Sequence, residues 1–184
     1  MLFGHKDNFA IEAMTEPNLT PPSAVWGRMR IWCQGVSIGD YSESCCALYP
    51  AYTHFKNITS TLPNLWRQDF DNLDEITLWN KVDGALYGHH GDIELSDNRT
   101  LKECQDDADN FEKFNFLTNW GEQFDRSGKS FIFCPDKKTV TILHCQPPKN
   151  HVISLQAPAQ SVCDAITLFI TWFATETSRL GGDS

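Results

Sequence analysis

No stretch of this sequence stays apolar long enough to cross a membrane: the longest run, Ala165 to Ala174, is broken by Thr167 and Thr171 and falls well short of the ~20 residues a span requires. Positive charge is also scarce. Fifteen Lys and Arg stand against 24 Asp and Glu, a net charge of -9, which counts against a nucleic-acid-binding module, whose affinity comes largely from cations neutralising phosphates. Met1 to Asp7 has no basic region followed by an apolar run and no small-residue cleavage site, so the chain is expected to stay in the cytoplasm. The seven cysteines (33, 45, 46, 104, 134, 145 and 163) are odd in number and irregular in spacing, a poor basis for a disulfide framework in a chain of this size. They are expected to be reduced and mostly buried. Asn-x-Thr sequons at Asn18, Asn57 and Asn98 would carry sugar only in a secreted chain and read as chance. Absent too are Gly-x-Gly-x-x-Gly, the Gly-x-x-x-x-Gly-Lys-Ser/Thr loop, His-Glu-x-x-His and Gly-x-Ser-x-Gly, so nucleotide-binding and common hydrolase readings lose their usual support.

What is present is the composition of a folded domain. At 184 residues, 41% hydrophobic and 12% aromatic, the chain has the size of one domain and can bury roughly 70% of its unfolded surface. Phe9 to Met14 reads as a strand, stopped by the proline-rich Pro17 to Pro22. From Val25 to Cys33 the side chains alternate, with Val25, Met29, Ile31 and Cys33 on one face and Trp26, Arg28, Arg30 and Trp32 on the other. Gln34-Gly35 then turns the chain, and Val36 to Tyr41 runs back antiparallel. A helix capped at Ser42 or Ser44 is expected to carry Cys45, Leu48, Tyr52 and Phe55, kinked by Pro50. A second begins near Asp71, buries Ile76, Trp79, Val82 and Leu86, and ends at Gly88. Between Gly88 and Asp109 the apolar residues thin out, the pattern of a long connection.

Phe114, Phe116 and Thr118 share one strand face, and Phe131 to Cys134 with Thr139 to Cys145 form a hairpin over Pro135 to Lys138. After Pro158 the spacing of Val162, Ala165, Ile166, Phe169, Ile170 and Phe173 predicts a deeply packed helix ending before Gly181-Gly182. The expected class is α+β, a mainly antiparallel sheet packed against two or three helices in a single domain over residues 1–184, with residues 88–110 rich in loop.

His89-His90-Gly91-Asp92 is the one tight His/Asp cluster, but two adjacent histidines constrain a tetrahedral metal site little, and a polar loop is the simpler reading. His144 and Cys145 are adjacent on a strand and so point to opposite faces, which argues for a core cysteine rather than a thiol nucleophile. The acidic residues are unevenly placed. Residues 69–112 hold thirteen Asp or Glu against three Lys or Arg, a net of -10, while the rest of the chain nets +1. Such a face either keeps the protein in solution or steers a basic partner.

Several segments resemble the immunity protein 42 family, cytoplasmic antidotes of bacterial polymorphic toxin systems that include contact-dependent growth inhibition. They are Gly4 with Asn8 to Glu12, Trp26 to Met29 leading into Ile31-Trp32, Gly35 to Tyr41, and Asn119 to Asp125 before Lys129. Their recurring Gly39, Gly121, Trp26, Phe124, Asp40 and Asp125 read as fold markers for turns and core. The resemblance implies a non-enzymatic antitoxin without a cofactor. Its partner would be a protein toxin, the C-terminal domain of a large secreted effector and a nuclease with a basic channel, rather than nucleic acid or membrane.

A toxin-facing surface must accept one toxin and reject others, so it is expected among features peculiar to this chain. The contact candidates are Asp92, Glu94, Asp97, Asp106, Asp107 and Asp109, with Trp79 and Trp120 as possible aromatic anchors for which core packing is the competing assignment. The alternatives are a small metal-dependent enzyme or metal-binding protein built around His89, His90 and Asp92, joined by His144 or His151, and an adaptor within a secretion machine.

Overall fold

A computed structural model describes residues 1–90, 93–95, 98–146 and 151–181. The chain opens with β1 (Leu2–Gly4), β2 (Phe9–Thr15), β3 (Trp26–Cys33), β4 (Val36–Ile38) and β5 (Cys46–Ala47). These form one antiparallel sheet in the order β1-β2-β3-β4, with β5 also on β3. Phe3, Ile11, Ile31 and Ile38 stand opposite one another across the four strands and are all buried. A one-residue slip would turn this whole row to solvent, so the row sets the register. On the opposite face, as the alternation predicts, Glu12 accepts hydrogen bonds from Arg30 Nε (2.8 Å) and Trp32 Nε1 (2.7 Å). β4 is shorter than expected because Gly39 turns away at φ +108°, where a Cβ would lie 2.8 Å from the Phe124 ring.

The first helix is α1 (Tyr49–Thr61). Pro50 lies in its first turn, where the missing N–H has no partner to lose, so it starts the helix instead of kinking it. Ser42, expected as a cap, instead donates from its backbone N–H to the Asp40 carboxylate at 2.9 Å. In α2 (Glu75–Tyr87) the cap is Asp74, which accepts the Thr77 N–H at 2.8 Å, and Gly88 closes the helix at φ +68°. Leu78, Trp79 and Val82 are buried there, but Ile76, expected in the stripe, is 61% exposed.

The segment 88–109 departs most from expectation. It holds the short hairpin β6 (His89–His90) and β7 (Ile93–Glu94), and then α3 (Leu101–Phe111). A capping box starts α3: the Thr100 hydroxyl accepts the Glu103 N–H while Glu103 accepts the Thr100 N–H at 2.7 Å. Only Phe111 is buried along it; Leu101, Cys104, Ala108 and Phe111 recur at helical spacing, but two of the four are small and the other positions are polar, so the stripe is faint.

The second sheet runs β11-β10-β9-β8, all antiparallel, from β8 (Asn115–Phe116), β9 (Lys129–Phe133), β10 (Thr139–Gln146) and β11 (His151–Pro158). Phe114 falls in a 3-10 turn, and Leu117 at φ +65° ends β8 before Thr118 can join it. β9 and β10 are buried on both faces, hence their nearly unbroken apolar runs. α4 (Glu122–Asp125) is a single turn, and α5 (Ala159–Leu180) is the predicted deep helix. It packs on β1, β2 and α1 and also on β10 and β11, so it lies between the sheets. α2 covers the other face of the second sheet, with Trp79 5.5 Å and Tyr87 6.4 Å from the Phe131 ring. The class is α+β as expected, with two principal sheets and five helices among the described residues. All seven cysteines are free thiols, four of them buried.

Two buried polar groups stabilise this arrangement. Asp83 of α2 is fully buried and takes the Lys129 ammonium of β9 at 2.7 Å. His144 is buried with its Nδ1 2.8 Å from the Ser130 hydroxyl, and desolvation pushes its pKa from 6.5 down to about 4. Lys129→Met should lower the unfolding free energy by about 3 kcal/mol, read by chemical denaturation, because it removes the ammonium that the fully buried Asp83 carboxylate faces at 2.7 Å. The unfolded chain protonates His144 near its ordinary value of 6.5, the folded chain only near 4. Its stabilising contribution should therefore be complete above pH 6.5 and shrink as the pH falls toward 4, by up to ~3 kcal/mol. In His144→Gln that part of the pH dependence should be absent.

Candidate protein-docking surface

The acidic segment folds into one face built by α2, the β6–β7 hairpin and α3. Gly84 permits this packing, since a Cβ there would meet Leu95 at 3.1 Å and the His90 ring at 3.3 Å. Arg99 ties the unit together, donating from Nη1 to Asp107 (2.8 Å) and from Nη2 to the Gly84 carbonyl (3.1 Å). At the other end of α3, Phe111 packs with Phe70 and Phe114.

The contact candidates fall into distinct groups. Asp106 and Asp109 are exposed on α3 and form no ion pair among the described residues, and Glu94 is exposed on β7. Asp107 is half-buried and neutralised by Arg99. Asp92 and Asp97 lie outside the described residues. Trp79 and Trp120 are each only 2% exposed. Trp79 packs on Phe131, while Trp120 stacks on His54 at 4.6 Å and meets Phe55 edge-on, so both rings belong to the core and neither is a surface anchor. The exposed large apolar side chains on this face are others: Leu101 is 86%, Ile93 70% and Ile76 61% exposed, three of the most exposed large apolar side chains among the described residues. Spacing placed Ile76 in a buried stripe, and Ile93 and Leu101 lie in the segment that reads as a long connection.

Helix α3 also breaks an electrostatic rule. Carboxylates favour a helix N-terminus and cations its C-terminus, yet Asp109 lies in the last turn with Glu112 as the C-cap, and no basic residue is in that turn. Asp106 and Asp109, three apart, add like-charge repulsion.

Between α2 and α3 opens a cleft of about 450 Å³ lined by Arg67, Asp69, Lys81, Arg99 and Asp107 over Ala85, Leu95 and Phe111. Asp69 takes two cations, Arg67 at 2.8 Å and Lys81 at 3.0 Å. The Arg67 hydrogen bond, reinforced by Lys81, holds its carboxyl down at about 2. The Arg67 guanidinium lies 4.6 Å from the Phe111 ring centre, which fixes its plane.

At the histidine cluster, His89 Nδ1 lies 2.6 Å from the Tyr87 carbonyl, His90 packs toward Gly84, and Asp92 is outside the described residues. Among the described residues no group of three or more His, Cys, Asp or Glu is arranged to hold a metal. No described helix is long and apolar enough to cross a membrane.

A family model described as immunity protein 42 matches residues 1–172. The chain belongs to the immunity protein 42 family. No curated protein matches this family member in sequence. Its fold is shared by a solved structure, CdiI from Burkholderia dolosa AUO158, with a TM-score of 0.64 at 9% identity over 94% of this chain and 99% of that one. In this immunity protein, Asp109→Asn should raise the unfolding free energy by about 0.5 kcal/mol, since it removes a charge the helix dipole opposes while leaving side-chain shape and helix propensity nearly unchanged. The shift in denaturation midpoint checks it.

Proposed function

We propose that this immunity protein binds a cognate contact-dependent inhibition toxin in the cytoplasm and neutralises it without catalysis, by laying its α3 face over the toxin's active site or substrate path. The observation that carries the reading is the pair of exposed carboxylates Asp106 and Asp109 on α3, the second kept in the last turn where the helix dipole disfavours it, with exposed Leu101 and Ile93 on the same face. A local conflict of this kind points to a surface shaped for a partner rather than for the fold. Family membership and the fold shared with a CdiI support the class of partner. The charge supports its chemistry: a toxin with a basic channel, as in a nuclease, would be steered by Asp106, Asp109 and Glu94 and held by the apolar side chains between them. Glu94, Asp106 and Asp109 are the proposed direct contacts, with Asp92 and Asp97 as further contacts from the same segment. Asp107 acts through Arg99.

The test is co-expression with the toxin domain encoded beside this chain, reading complex formation and cell survival. A one-to-one complex that protects cells is expected. Asp106→Asn with Asp109→Asn should slow association about tenfold at low salt and flatten its salt dependence, and Leu101→Ala should speed dissociation. Unchanged kinetics in both variants would remove the α3 face from the interface.

A further inference from the structure

Strand pairing brings two histidines of the second sheet onto one face. His144 of β10 stands opposite Ile153 of β11, and Gln146 opposite His151, so these four side chains share a face with His144 and His151 on a diagonal. Diagonal neighbours of an antiparallel pair lie roughly 7–8 Å apart, within reach of two long side chains. All four line a cleft of about 210 Å³ whose other wall is Val36 and Ser37 of β4. The two walls are pinned together: Gln34 Oε1 accepts the Gln156 N–H at 3.1 Å, and the Cys33 thiol donates to the Gln156 carbonyl at 3.7 Å.

His144 is the unusual member. It is only 4% exposed and yet lines this cleft. Its Nδ1 meets the Ser130 hydroxyl at 2.8 Å, while Nε2 forms no hydrogen bond among the described residues. A histidine with one nitrogen held and the other facing an opening is arranged as metal ligands are, because the held nitrogen fixes the tautomer and the plane of the ring. Burial also lowers its pKa to about 4, so the ring is neutral and its lone pair available at neutral pH.

We propose that His144 Nε2 and the His151 imidazole hold one divalent transition-metal ion in the cleft between β4 and the β10–β11 pair, with Gln146 as an oxygen donor. Imidazole suits zinc, copper and nickel, whereas magnesium and calcium prefer sites made of oxygen alone. Two imidazoles are fewer than the four ligands of a structural zinc centre, so the affinity is micromolar and positions at the metal stay open to water. The site uses neither His89 nor His90 and lies on the face of the second sheet opposite α2, so it stands or falls independently of the docking reading.

Calorimetric titration of the purified chain with zinc chloride tests it. One saturable site of micromolar affinity is expected, and zinc at about a hundred times its dissociation constant should raise the thermal midpoint by about 5 °C. His151→Gln, at an exposed strand position, should weaken zinc binding by about tenfold or more and remove the shift, with the metal-free midpoint unchanged. His5→Gln, an exposed histidine outside the cleft, should leave both intact, and magnesium chloride should produce neither heat nor shift. Absence of saturable heat in the wild-type chain would overturn the site. Zinc binding that persists unchanged in His151→Gln, or that is lost only when His89 and His90 are replaced, would overturn it as well.

Discussion

Burial of the α5 stripe between the two sheets is the interaction on which the rest of the structure depends. Phe169 lies 6.1 Å from Phe3 of the first sheet and 5.6 Å from Phe55 of α1, and Phe173 stacks on Tyr52 at 4.3 Å. Side chains of this size contribute roughly 2–3 kcal/mol each when fully buried, and each sheet uses the same helix to cover its inner face. Loss of α5 would expose the Phe3, Ile11, Ile31 and Ile38 row together with the inner face of β10.

Because α5 covers one face of the second sheet, the other is available to α2, which carries α3 and the acidic surface outward. The attachment is specific as well as apolar. Phe131 receives Trp79 and Tyr87, and beside them the Asp83 and Lys129 pair crosses from helix to strand at 2.7 Å. A buried charge pair adds less net stability than an apolar contact of the same volume, but it tolerates few alternative alignments. In this protein it fixes where α2 sits, and through Gly84 and Arg99 where α3 sits. A firmly held base lets α3 carry repelling carboxylates and bare apolar side chains that would weaken an isolated helix.

Legibility in the sequence followed periodicity. Strand β3 was readable residue by residue because one face meets the core and the other meets solvent, and α5 because its stripe is unbroken over five turns. Helix α3 was not, since its stripe of Leu101, Cys104, Ala108 and Phe111 is thin among polar neighbours and buries only the last of them, and a capping box and an ion pair do the rest of the holding. Pro50 misled for a related reason: the same residue starts a helix or breaks one depending on where the first turn falls, which the packing of Ala51 and Phe55 decides. At the candidate site the charge imbalance was legible as a count. The tryptophans were ambiguous, because a large aromatic serves a core and an interface equally well until its neighbours are known.

The sequence by itself determined the class of fold, the family and the segment that carries the negative charge, since alternation, helical spacing, motif order and charge are all properties of neighbouring residues. The tertiary structure alone decided which carboxylates stay exposed and which are neutralised, that Trp79 and Trp120 are core while Leu101 and Ile93 are surface, and that Arg67, Lys81 and Arg99 meet in one cleft. Those outcomes depend on contacts between residues far apart in the chain, whose energies exist only once the helices are packed.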